Sequence, residues 1–144
     1  MDEILAQITL LTDCLRKKEE ALNVIIAFTN KQTDLIVNSP KDNASFNELA
    51  QKKLLHIEYV NDLDNIFTSI FDRVKDFMGK GNEDHREVLI KLKDGIKAVT
   101  DLTVTIKTLE EKNARMIAGG VRKPPKKIVS ANHAVNAYRR NKKG

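Results

Sequence analysis

The chain has a single cysteine, Cys14, no tryptophan, and prolines only at Pro40, Pro124 and Pro125 of its 144 residues. A lone cysteine excludes an internal disulfide and leaves no second thiol for a redox pair, so Cys14 reads as a half-buried helix residue. No apolar run reaches the roughly 18 to 20 residues that cross a bilayer, and Met1, Asp2 and Glu3 lack the basic start of a signal peptide, so a cytoplasmic location is expected. Histidine is scarce too. His56, His85 and His133 stand in different segments without a second ligand at helical spacing, and no metal site is expected. Glu83, Asp84 and Glu87 around His85 read as the charged first turn of a helix. The glycines at 79, 81, 119 and 120 fit neither a phosphate loop nor a dinucleotide fingerprint, and no Gly-x-Ser-x-Gly elbow or Ser, His and Asp grouping supports acyl transfer. The sequence therefore offers no catalytic residue, cofactor or small-molecule substrate, and is expected to be a binding protein.

Acidic residues are missing from one end. Between Val121 and Gly144 stand Arg122, Lys123, Lys126, Lys127, Arg139, Arg140, Lys142 and Lys143 with no Asp or Glu, while the whole chain carries +5. A basic appendage on a mildly acidic body suggests an acidic partner surface, although solubility alone would account for it.

What the chain does have is apolar periodicity. Ile4, Ile8, Leu11, Leu15, Leu22, Ile25, Ile26 and Thr29 return at helical spacing, with Arg16, Lys17, Lys18, Glu19 and Glu20 expected to be exposed between them. This predicts a helix over about 2–37, stopped by Asn38, Ser39 and Pro40. Ser45 followed by Glu48 fits a capping box and predicts a second helix over 45–78. Val60, Leu63, Phe67, Ile70, Val74 and Phe77 alternate steps of three and four, the period of a coiled-coil seam. Lys53 and His56 continue that seam backwards while Leu54 and Ile57 sit one residue later, so a register slip and looser packing are expected there. Gly79 to Asn82 make a short turn, with Asn82 or Asp84 able to cap the next helix.

The third helix is expected over 83–118, with Leu89, Leu92, Ile96, Val99, Leu102, Ile106, Leu109, Asn113 and Met116 on one stripe. Within it Leu102, Val104 and Ile106 alternate with Thr103, Thr105 and Lys107 in a strand-like pattern, and the unbroken helical stripe decides for helix. Gly119 and Gly120 end it, and Pro124 and Pro125 extend the linker that follows. The fold class is thus all-α: three long antiparallel helices in an elongated bundle or coiled-coil hairpin over 1–120. A basic, largely disordered tail over 121–144 could form a short helix over 129–138 with Val129, Val135 and Tyr138, which has too few apolar groups to hold without a docking surface.

Two readings of the apolar surface stay open at this level. Ile66, Phe67, Ile70 and Phe71 cover a wider face than a two-helix seam uses, which suits either core packing or a groove for a partner helix. Asn113 on the stripe suits either register control or a hydrogen bond awaiting a partner.

Several short stretches carry a family likeness. Phe46, Asn47, Glu48, Leu49, Ala50, Gln51, Lys52 and Lys53, then Leu63, Asp64, Asn65, Ile66 and Phe67, then Asp72, Arg73, Val74 and Lys75, resemble the second helix of bacterial flagellar export chaperones of the FlgN-like kind. Leu109, Glu110, Glu111, Lys112 and Asn113 are similar to that family's leucine, glutamate and asparagine signature, and the tail with Ala137, Tyr138 and its basic end is similar as well. The resemblance implies a cytoplasmic type III export chaperone that binds the C-terminal helical region of a hook-associated or filament-cap protein, prevents premature assembly and delivers it to the export apparatus. It also implies that Ile106, Leu109, Asn113, Met116 and Ile117 hold the client, and that Tyr138, Arg139 and Arg140 contact the export apparatus. The alternatives are a coiled-coil scaffold or adaptor, including a homodimer through the seam, and a nucleic-acid or anionic-membrane binder using the tail. Nucleic acid is disfavoured because Tyr138 is the tail's only aromatic residue.

Overall fold

The computed structural model describes residues 3–78 and 85–119. These form three α-helices, α1 (Glu3–Asn38), α2 (Asn43–Met78) and α3 (Arg86–Ala118), and no strand among the described residues. The helical bundle expected from the periodicity is what the chain adopts, and the Thr-rich stretch of α3 is helical throughout. Its threonines fit because Thr100, Thr103 and Thr105 each donate the side-chain hydroxyl to a carbonyl one turn earlier, at 2.8, 2.7 and 3.0 Å. The competing alternation does not define one face, since Ile106 is buried and Val104 is exposed.

At about 1.5 Å per residue, each helix is roughly 50 Å long. α1 is the spine and packs along both α2 and α3. Lys18 meets Asp64 and Gln32 meets Phe46, so α2 runs antiparallel to α1. Leu15 lies against Gly95, Thr29 against Glu110 and Thr33 against Asn113, so α3 runs parallel to α1.

The reversal between α1 and α2 uses a different cap from the one the sequence suggested. α2 begins at Asn43, and the Asp42 carboxylate accepts the Ser45 amide at 3.0 Å, which makes Asp42 the N-cap and Ser45 the third helical residue. Glu48 is consequently free of capping and pairs with Lys52 at 3.3 Å on the exposed face. Aspartate three residues before an orphan amide serves the same purpose as serine, and the chain contains both candidates. α3 starts after His85, which makes no side-chain cap bond. Its last turn is closed by the Gly119 amide on the Arg115 carbonyl at 2.8 Å. The turn at Gly79 to Asn82 with the caps Asn82 and Asp84, the side chain of Phe77, and the tail 121–144 with Tyr138, Arg139 and Arg140 lie outside the described residues.

Two apolar clusters make the core. The larger runs from Ile8 to Ile25 on α1, from Ile57 to Val74 on α2 and from Leu92 to Ile106 on α3. The smaller joins Ile36, Phe46 and Ile117 at the other end. Between them lies a buried polar layer of Thr29, Gln32, Lys53, Glu110 and Asn113. The buried positions of α2 are Phe46, Ala50, Lys53, Ile57, Val60, Leu63, Ile70 and Val74. The register slip is therefore real and sits at Ile57, Val60 and Leu63, two consecutive steps of three, but Lys53 remains on the seam and is buried with it.

Candidate functional site

The first region with the character of a site is a groove between α2 and α3, floored by α1. Cys14, Leu15 and Lys18 form the floor, Leu63, Phe67 and Phe71 one wall, and Ile96, Val99, Thr100 and Thr103 the other, around a half-open cavity of about 310 Å³. It exists because α2 and α3 each pack along α1 but scarcely against one another. Phe67 and Phe71, one turn apart, stack with ring centroids 6.0 Å apart and an interplanar angle of 12°. Neither is fully buried, and Ile96 on the facing wall is 39% exposed. Gly95 sets the depth on the α3 side: a β-carbon there would stand 3.0 Å from Leu15 Cδ1, so the missing side chain lets α3 come down close onto α1.

The polar groups of the groove are few. Lys18 was expected on the exposed face of α1, yet its ammonium reaches across to Asp64 Oδ1 at 2.7 Å, with side chains only 15% and 18% exposed. The long methylene stem of lysine makes this placement cheap, because it covers apolar surface while the charge finds a partner. Cys14 is half-buried, as its sequence context suggested, and burial raises the pKa of its thiol above the ordinary value. Because Cys14 lines the groove, the accessibility of its thiol reports on whether the groove is occupied.

The second region is the polar layer, and every charged or amide group in it has an internal partner. Lys53 and Glu110, side chains 1% and 3% exposed, form an ion pair that ties α2 to α3. Burial pulls the Lys53 ammonium below its usual pKa, and the facing Glu110 charge works against that shift. The Thr29 hydroxyl has the Ile25 carbonyl at 2.7 Å and Glu110 Oε1 at 3.2 Å, and donates to one of the two. Asn113 Oδ1 accepts from the Thr33 hydroxyl at 2.6 Å, and Asn113 Nδ2 donates to the Thr29 carbonyl at 3.3 Å. Gln32 Nε2 donates to the Phe46 carbonyl at 3.2 Å.

The expected client-holding face of α3 is thereby placed inside the bundle. Ile106, Asn113 and Ile117 are buried, Leu109 and Met116 are half-buried, and Asn113 makes its hydrogen bonds to α1 instead of holding them for a partner. Five residues read as one patch are thus core and core margin. The buried seam of α3 runs Leu92, Val99, Thr103, Ile106, Glu110, Asn113 and Ile117, one position away from the Leu102, Leu109 and Met116 line the apolar pattern favoured. The polarity of Thr103 and Glu110 hides them from an apolar pattern, although both keep the seven-residue spacing to Ile117 that marks a seam. Lys53, where the sequence pattern implies a packing fault, is instead buried on the seam and paired with Glu110. Of the groove, Phe67 and Phe71 were legible as surplus apolar surface, and Ile96, Val99 and Leu63 were not, having been assigned to closed stripes.

No helix among the described residues is long and apolar enough to cross a membrane. Comparison of the chain with protein-family models, with curated proteins and with solved structures finds no match.

Proposed function

We propose that this chain is a helical chaperone of the type III flagellar export kind, which holds an amphipathic C-terminal helix of a hook-associated or filament-cap protein in the groove between α2 and α3. The observation that carries the reading is a half-open cavity of about 310 Å³ walled by Phe67, Phe71, Ile96 and Val99, between two helices that each pack on α1 and scarcely on one another. A cavity near the lower end of the roughly 300 to 1,000 Å³ typical of ligand sites suits one or two large apolar side chains. From Ile96 to Thr103 the α3 wall extends seven residues, about 10 Å, so an occupant helix engages over about two turns with anchors at i, i+3 or i+4, and i+7. The client site is thus assigned to the groove and not to 106–117, where a client would have to displace α1 from Ile106, Asn113 and Ile117. Tyr138, Arg139 and Arg140 keep their proposed part in docking to the export apparatus, on the strength of the family resemblance and of a tail with eight basic and no acidic residues.

The test is a calorimetric titration with the isolated C-terminal helical segment of a hook-associated protein, alongside alkylation of Cys14. Binding that disappears in Phe67→Asp with Phe71→Asp, together with slower alkylation of Cys14 in the wild-type complex, is the expected result. Binding that survives this double substitution but is lost in Leu109→Ala with Met116→Ala would return the site to α3. Heat release that tracks the basic tail alone and collapses with added salt would favour the anionic-partner reading.

A further inference from the structure

We propose that Lys53 and Glu110, with Asn113, set the register of α3 along the bundle and so decide which of its residues wall the groove. Apart from Gly95, whose place against Leu15 would pass to Leu102 or Val88 after a slide of seven, the apolar stripe of α3 does little to fix the register. Leu92, Val99, Ile106 and Asn113 follow one another at intervals of seven, as do Thr103, Glu110 and Ile117. A slide of α3 by one heptad, about 10 Å, brings Val99 to the Ile106 position or Ile106 to the Val99 position. Hydrophobic burial discriminates weakly between such registers, because each aliphatic group finds another aliphatic site.

The buried charge discriminates strongly. Glu110 is the only carboxylate on the buried seam of α3. A slide of seven residues in one direction sets Thr103 against Lys53, and in the other direction Ile117. Slides of three set Lys107 or Asn113 there, and slides of four Ile106 or Ala114. Each alternative leaves the Lys53 ammonium, 1% exposed, without a counter-charge, which is among the most costly defects a core can hold. Asn113 adds a second condition, because its two amide bonds to Thr33 and Thr29 exist in one register only. Neither Lys53 nor Glu110 lines the groove. They are positioning residues, acting about 10 Å along the axis from Thr103 on the groove wall. The inference stands independently of which partner, if any, occupies the groove.

The experiment measures register directly. Asn30 on α1 and Thr108 on α3, both exposed, are replaced by cysteine in a Cys14→Ser background and spin-labelled, and the interlabel distance is read by pulsed electron resonance. The parent pair is expected to give one narrow distance. Adding Lys53→Met, Glu110→Leu and Asn113→Leu is expected to retain the helical circular dichroism while introducing further distances displaced by up to about 10 Å. A folded triple variant with the parent distance alone would overturn the proposal. Charge exchange supplies a check that does not depend on that variant folding. Glu110→Lys alone is expected to broaden or displace the distance, and Lys53→Glu with Glu110→Lys to restore it. A Glu110→Lys protein that keeps the narrow parent distance, or a doubly exchanged protein that fails to recover it, would equally refute the register role.

Discussion

One half of this bundle is tied across by a buried ion pair and the other stays open around hydrocarbon. In the half formed by the ends of α1 and α3 and the start of α2, a lysine, a glutamate, a glutamine, an asparagine and a threonine are buried and bonded to one another or to backbone. In the other half, where Phe67, Phe71 and Ile96 stand, polar groups are few and the helices leave a cavity. The contrast inverts the simple expectation that apolar surface closes and polar surface stays wet. Directional bonds require their partners at fixed distances, so the polar layer links α2 to α3 through Lys53 and Glu110. Apolar contacts carry no such requirement, and the groove stays open between α2 and α3 although large side chains wall it.

The sharpest way to break the contrast is to remove one member of the pair. Glu110→Ala is expected to cost about 3 to 5 kcal/mol, because it leaves a buried ammonium uncompensated, whereas Lys53→Met with Glu110→Leu is expected to be neutral or stabilising. Urea unfolding of the two proteins decides it, and equal losses would mean the charges are not desolvated. Next, Phe46→Ala in the closed half should lose about 3 to 5 kcal/mol, the cost of emptying a fully buried aromatic site, and Phe67→Ala on the groove wall clearly less. Comparable losses would show that the groove is filled in solution. Gly95→Leu follows: the new side chain meets Leu15 and forces α3 away from α1, with an expected net cost of about 1 to 3 kcal/mol in thermal or urea unfolding.

The smallest effect concerns pH. The Lys53 ammonium has a folded-state pKa below its usual value of 10.5, so between those two values the unfolded chain binds more protons than the folded one. Stability therefore rises with pH across that alkaline window. The contribution is fully present above 10.5 and is lost as pH falls through the depressed folded-state value. Relative to the Lys53→Met, Glu110→Leu protein, the wild type should gain stability as pH climbs toward 10.5 and run parallel to it at lower alkaline pH. A constant difference across the whole range would place Lys53 in contact with water.

Much of the architecture could be read from the residues. Three apolar stripes, one proline stop and two glycine punctuation points define three helices, and the structure moves the described bounds by only a few residues. The cap of α2 was misread because Asp42 and Ser45 are equally good acceptors three residues apart, and only the path of the loop selects between them. Lys18 was misread because a flexible side chain on the edge of a helix is assigned to solvent until a partner such as Asp64 is known. The candidate site was legible only through its surplus phenylalanines. Nothing local to Ile96 or Val99 says whether the opposing wall arrives.

What the amino-acid order determined alone is the helical period and its interruptions, because backbone geometry and turn chemistry act within a few residues of each other. Tertiary structure decided which polar residues on those stripes are buried and where the bundle stays open. Lys53 and Glu110 lie 57 positions apart in the chain, and a desolvated charge is tolerable only once the distant partner is in place.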